Sequence, residues 1–203
     1  HANIDGARAV RKLLEHRVDG VLVAAPSLED DPDLGKALRG PLPAVSINHI
    51  HGGGVPTIGS NHSLTASLAV AHLVDLGHER IGTVTGPRAR RVVQSRVRGM
   101  RSALREAGRS LPAKRVAESD WTHAGGYQGT LRLLDAEPGV TAVFVHNDVM
   151  AIGALKALHE RPTYVDPING FTFTITAEAE KADEANRRWQ AFSTPFRLST
   201  VYR

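Results

Sequence analysis

The chain has 203 residues and no cysteine, with 41% hydrophobic and 23% charged residues; 25 Lys and Arg against 21 Asp and Glu leave a formal charge of +4. This is the composition of one or two globular domains, and it excludes wholesale disorder, a disulfide framework, thiolate metal sites and a cysteine nucleophile. No apolar run approaches the ~20 residues of a membrane span, and His1-Ala2-Asn3-Ile4-Asp5 carries neither the basic nor the apolar region of a signal peptide.

Residues 5–17 predict a helix, with Ala7, Val10, Leu13 and Leu14 at helical spacing and Asp5 as its N-cap. Val18 to Pro26 is a continuous apolar run entered by Asp-Gly and stopped by Pro, the pattern of a buried parallel strand. Leu34 to Leu38 is a short helix and Pro43 to Asn48 a second strand. His49 to Gly54 is a loop ending in three glycines, and Val55 to Ile58 a short extended piece. Ser63 to Leu76 is a helix with Gly77 as its stop. Ile81 to Thr85 is a third strand, Arg96 to Ala107 a helix closed by Gly108, and Trp121 to Leu134 contains another helix. Thr141 to Val145 is a fourth strand and Val149 to Glu160 a further helix. Thr176 to Phe192 has the spacing of an amphipathic helix.

Strands alternating with helices of this length predict an α/β fold with a parallel sheet. Ligands of such sheets sit beyond the carboxyl ends of the strands. That rule nominates Pro26, Asn48, Thr85-Gly86-Pro87 and His146-Asn147-Asp148. Most enzymatic alternatives lack their parts. His49-Ile50-His51 has no third ligand at metal spacing. His51-Gly52-Gly53-Gly54 imitates an esterase oxyanion loop, but no G-x-S-x-G elbow accompanies it. Neither a P-loop nor a G-x-G-x-x-G fingerprint occurs. The basic run Arg88-Ala89-Arg90-Arg91, continued by Arg96, Arg98 and Arg101, reads as a solvated loop and helix surface, since a nucleic-acid footprint would need it to form a face beside others.

Six ordered segments carry a resemblance. They are Leu14-Glu15-His16-Arg17-Val18-Asp19-Gly20-Val21; Ala71-His72-Leu73-Val74-Asp75-Leu76-Gly77-His78-Glu79-Arg80-Ile81; Gly86-Pro87; Ser95-Arg96-Val97-Arg98-Gly99; Ser119-Asp120-Trp121 followed by Gly125-Gly126-Tyr127; and Val145-His146-Asn147-Asp148-Val149-Met150-Ala151. In this order and spacing they resemble the effector-binding core of the LacI–GalR family of bacterial transcription regulators.

The resemblance implies two Rossmann-like lobes of periplasmic-binding-protein type I. It places an N-lobe at residues 1–79, lacking its first strands, and a C-lobe at 80–160, with Leu76-Gly77-His78 at the crossover. A divergent segment fills 161–203, such as a frameshift or rearrangement would leave. Its Gly170-Phe171 fits the slot of the family's Gly-Phe-Asp only if Thr172 replaces the effector-binding Asp. His72 and His78 would support the crossover, with His78 satisfying backbone groups.

The resemblance also implies a binding function rather than an enzymatic one, with no cofactor and no metal. A small sugar-like or nucleoside-like effector would bind between the lobes. Operator DNA would be read only through an N-terminal headpiece that this chain lacks. The full-length form would be a cytoplasmic homodimer without membrane contact. The alternative is a periplasmic-type sugar-binding protein of a transport system. Four residues are candidates for the effector. Trp121 lies in a polar stretch and would stack on a sugar ring; its other reading is a half-buried packing residue. Arg96 would supply a fork of donors, where a solvated helix charge is the alternative. Asn147 follows a strand directly and would place its amide at the ligand or cap the next helix. Asn61, where relatives carry Asp, would either contact the ligand or cap a helix.

Overall fold

A computed structural model describes residues 5–25, 28–47, 50, 54–161, 172–174 and 198–199. The chain forms two compact units, His1–Ser60 and Asn61–Arg203.

The first unit is built on α1 (Gly6–Glu15), β1 (Val21–Val23), α2 (Pro32–Ala37) and β2 (Ala44–Ser46). Asp5 caps α1 by accepting the Arg8 N–H at 2.8 Å, and Asp31 caps α2 ahead of Pro32 at the position where a missing N–H does no harm. β1 and β2 pair in parallel, Val21 opposite Ala44 and Val23 opposite Ser46. Val10, Val23, Leu34, Leu38 and Ile50 bury one face of this pair. The burial expected of β1 holds on one face only. Leu22 is 71% exposed, because α1 and α2 cover only the face toward which Val23 points. Asn48, His49 and His51 lie outside the described residues, as do Pro26, Gly52 and Gly53.

The second unit contains α3 (His62–Asp75), β3 (Ile81–Thr85), α4 (Arg91–Glu106), β4 (Val116–Glu118), α5 (His123–Ala136), β5 (Ala142–Val145), α6 (Asp148–Glu160), β6 (Thr172–Thr174) and β7 (Leu198–Ser199). Its strands form one parallel sheet in the order β4-β3-β5-β6-β7. Residue alternation along the strands sorts the core into two layers. Ile81, Ala142 and Phe144 face α3 and α4, where Ala66, Val70, Leu73, Met100 and Leu104 close the packing. Val84, Val143 and Val145 face α5 and α6, against Leu133, Leu134, Met150, Ala154 and Leu158.

Two placements bear on the resemblance. α3 packs on α4, and the second compact unit begins at Asn61. The approach of the two helices is close, since a Cβ at Gly99 would stand 2.7 Å from the backbone carbon of Ser63. The second placement is that of Thr172. It opens β6 opposite Ala142, the first residue of β5, and so lies at the opposite end of the sheet from the strand termini where ligands bind. The helical pattern over 176–192 lies outside the described residues.

Candidate functional site

The order β4-β3-β5 defines the site. The chain leaves β3 through α4 on one face of the sheet, and leaves β5 through α6 on the other. β3 and β5 are neighbours, so the connections diverge from adjacent strand ends. Such a switch point opens a crevice where an α/β sheet binds its ligand.

Three of the four candidate residues meet there. Arg96, in the second turn of α4, donates from Nη1 to the His146 carbonyl at 2.5 Å, which holds its guanidinium across the end of β5. Asn147 is the N-cap of α6: its Oδ1 accepts the Met150 N–H at 2.8 Å, while Nδ2 points to the Trp121 carbonyl at 3.5 Å. The capping role and the position at the strand end are therefore both real. Trp121 is half-buried and packs on the edge of the α5–α6 core.

Trp121 is held in an unusual way. Its φ is +70°, a left-handed conformation that a bulky side chain rarely adopts. The turn around it supplies the constraint. Asp120 Oδ1 accepts the Thr122 hydroxyl at 2.7 Å and the Thr122 N–H at 3.1 Å, and Thr122 in turn caps α5 by accepting the Gly125 N–H at 2.9 Å. The Thr122 hydroxyl, then its N–H, hold the Asp120 carboxyl below the usual carboxylate range. The indole lies against Gly86 at the end of β3, where any side chain would collide with it. Backbone strain kept by surrounding contacts is a feature of binding sites.

Asn61 shares no hydrogen bond with these three among the described residues. It caps α3, with Oδ1 accepting the Leu64 N–H at 3.1 Å, and its side chain is exposed. Of its two readings, the structure displays the cap.

His146 belongs to a nominated strand-end segment, but its side chain has no role in the sequence reading. Its ring is 3% exposed, yet neither Nδ1 nor Nε2 has a hydrogen-bond partner among the described residues. Burial, then the charge of Arg96, push its pKa down to about 3, so the ring is neutral at physiological pH. Strand alternation contained the signal: residue 146 shares the face of Phe144, and the two rings lie 5.3 Å apart. His78 also differs from expectation. Its Nδ1 meets the Thr141 hydroxyl at 3.1 Å, a side-chain partner that ties the start of β3 to the start of β5.

Among the described residues, no group of three or more His, Asp or Glu side chains is arranged to hold a metal ion. No described helix is long and apolar enough to cross a membrane.

This half-sheet with its switch-point crevice belongs to the class of doubly wound ligand-binding lobes. A family profile described as periplasmic binding proteins and sugar binding domain of LacI family matches residues 1–169, and the chain belongs to that family. Over 163 residues it is 31% identical to the HTH-type transcriptional regulator AscG of Escherichia coli K12, covering 79% of this chain and 48% of that protein. The ribose operon repressor of the same strain is 32% identical over 155 residues, 75% of this chain and 47% of its own. The crystal structure of a LacI family transcriptional regulator from Mycobacterium smegmatis superposes with a TM-score of 0.72 at 27% identity, covering 88% of this chain and 65% of that one. The chain thus spans about half the length of the curated relatives it matches.

Proposed function

We propose that this chain is the effector-sensing part of a LacI-type transcriptional regulator, and that its effector is a small hydroxylated molecule of sugar or nucleoside type. The observation that carries the reading is the meeting of Arg96, Trp121 and Asn147 at the β3–β5 switch point. An aromatic face takes the C–H surface of a sugar ring, while a guanidinium and an amide pair with its hydroxyls. The relatives named above favour a regulator over the transport-type alternative, since both are transcriptional regulators by name. In the whole protein, effector would select one arrangement of the sensing core and thereby bias operator binding elsewhere in a cytoplasmic homodimer.

Thermal shift of the chain against a panel of pentoses, hexoses and nucleosides tests this. A ligand at a hundredfold its Kd stabilises by about 2.7 kcal/mol. For a protein of this size that raises Tm by about 5–10 °C. At least one panel member should do so, and Trp121→Ala should abolish the shift. No response across the panel, or a response that survives Trp121→Ala, would refute the reading.

A further inference from the structure

We propose that the outer face of α4 is a second binding site, for a small molecule carrying more than one phosphate. Part of the basic run that reads as a solvated surface lines a concavity. Arg88, Arg98, Arg101 and Arg105 line a single groove of about 760 Å³. Val93, Val97 and Val116 are apolar residues of the same groove, and Ser102 adds a hydroxyl.

Three observations point to an anion. Arg98, Arg101 and Arg105 follow one another at helical spacings of three and four, which stacks like charges on one stripe of α4 and destabilises an empty helix. None of the described residues lining the groove is a carboxylate, and Glu118 pairs with Arg88 from outside that lining. The only acid in α4 is Glu106 at its end, and it accepts the Ser102 hydroxyl at 3.0 Å. Arg101 and Arg105 have no hydrogen-bond or ion-pair partner among the described residues, so their charge is available to a ligand. Arg88 comes from the turn after β3 and is already oriented: Nη2 donates to the Val116 carbonyl at 2.7 Å, and Nε lies 3.6 Å from Glu118.

The chemistry and the shape narrow the class. Guanidinium groups match phosphate oxygens bidentately, and four of them around one space suit more than one phosphate. A concave site of this volume is in the range of small-molecule pockets. Duplex DNA is itself read by protruding helices and ribbons that enter its grooves, so a concavity favours the smaller ligand. The groove is separate from the Trp121 site. Arg96, on another side of α4, reaches the β5 end and does not line it.

Calorimetry of the 203-residue chain with inorganic pyrophosphate at low salt tests the site. The wild type should bind it. The double substitution Arg101→Gln with Arg105→Gln removes two charge-assisted contacts and should weaken binding at least about tenfold. Arg101→Lys with Arg105→Lys retains both charges and should bind between the two. Both positions are exposed, so the Gln pair should melt no lower than the wild type without ligand, which separates lost binding from lost folding. The proposal is overturned if the wild type takes up no pyrophosphate, if the Gln pair binds it equally well, or if random duplex DNA binds through these arginines and pyrophosphate does not.

Discussion

Substituting Gly86 by alanine probes how the Trp121 site is built. A methyl at Gly86 would stand 2.5 Å from Trp121 Cδ2, and closer still to Cε2 and Cζ2. Carbon atoms pack at about 3.5–4.0 Å, so the indole must retreat by at least about 1 Å. It cannot do so freely, because the Asp120–Thr122 turn fixes its backbone and the α5–α6 core backs its ring. Overpacking of this kind costs about 1–3 kcal/mol. The backbone at Gly86 is outside the left-handed region, so alanine recovers about 0.4–1 kcal/mol through the unfolded chain. The net expectation is a loss of about 1–2 kcal/mol, read from urea unfolding followed by circular dichroism. The same substitution in a Trp121→Ala background should be neutral or stabilising, because the colliding ring is gone. The two sites would then couple by at least about 1 kcal/mol in a double-mutant cycle. An equal loss in both backgrounds would mean that Gly86 is not held open by the indole, and the proposed geometry of the site would fail.

Four further outcomes follow from individual contacts. His146→Leu removes two buried nitrogens without hydrogen-bond partners and should hold or raise stability by about 1 kcal/mol at pH 7; a comparable loss would show that the ring has a partner in solution. The same variant tests the sign of the pKa shift. The folded value, about 3, lies below the ordinary 6.5, so the unfolded chain binds the proton first and stability falls as pH drops from 6.5 toward 3. The wild type should therefore lose roughly 1 kcal/mol per pH unit more than His146→Leu in that window, and parallel pH profiles would contradict the burial. Asn61→Ala should cost about 1 kcal/mol through loss of the α3 cap while leaving effector affinity unchanged; a loss of affinity without a loss of stability would return Asn61 to the ligand. Gly99→Ala presses a methyl onto the Ser63 backbone, which cannot swing aside, and should lower stability by about 3 kcal/mol; a neutral result in urea unfolding would show that α3 and α4 are less closely packed.

Much of the second unit was legible because its local signals agree with its packing. Ile81 to Thr85 is apolar enough to be buried throughout, and β3 has those bounds. Leu76-Gly77 marks the end of α3, where Gly77 takes φ +89°. Other features left no mark in the sequence. α4 begins at Arg91, five residues ahead of its expected start, because Arg90 makes no side-chain cap and the basic run conceals the apolar Val92 and Val93. β4 has only three residues between a basic turn and a polar loop, and its pairing with β3 is a tertiary fact. The same holds for the partner of α3: its apolar stripe announces burial but not against which unit. Arg96, Trp121 and Asn147 are candidates through family motifs, whereas the left-handed backbone of Trp121 and the seclusion of His146 depend on contacts between distant segments.

On the proposed function, Trp121 forms the face on which a small effector rests. The chain has two tryptophans, Trp121 and Trp189, so Trp189→Phe leaves Trp121 as the single tryptophan, excited selectively over the tyrosines at the red edge of the absorption band. Titration of that variant with a panel member that raises the melting temperature should change the emission in a saturable way, with the Kd measured by calorimetry. Emission that stays constant while calorimetry records binding would place the ligand away from Trp121.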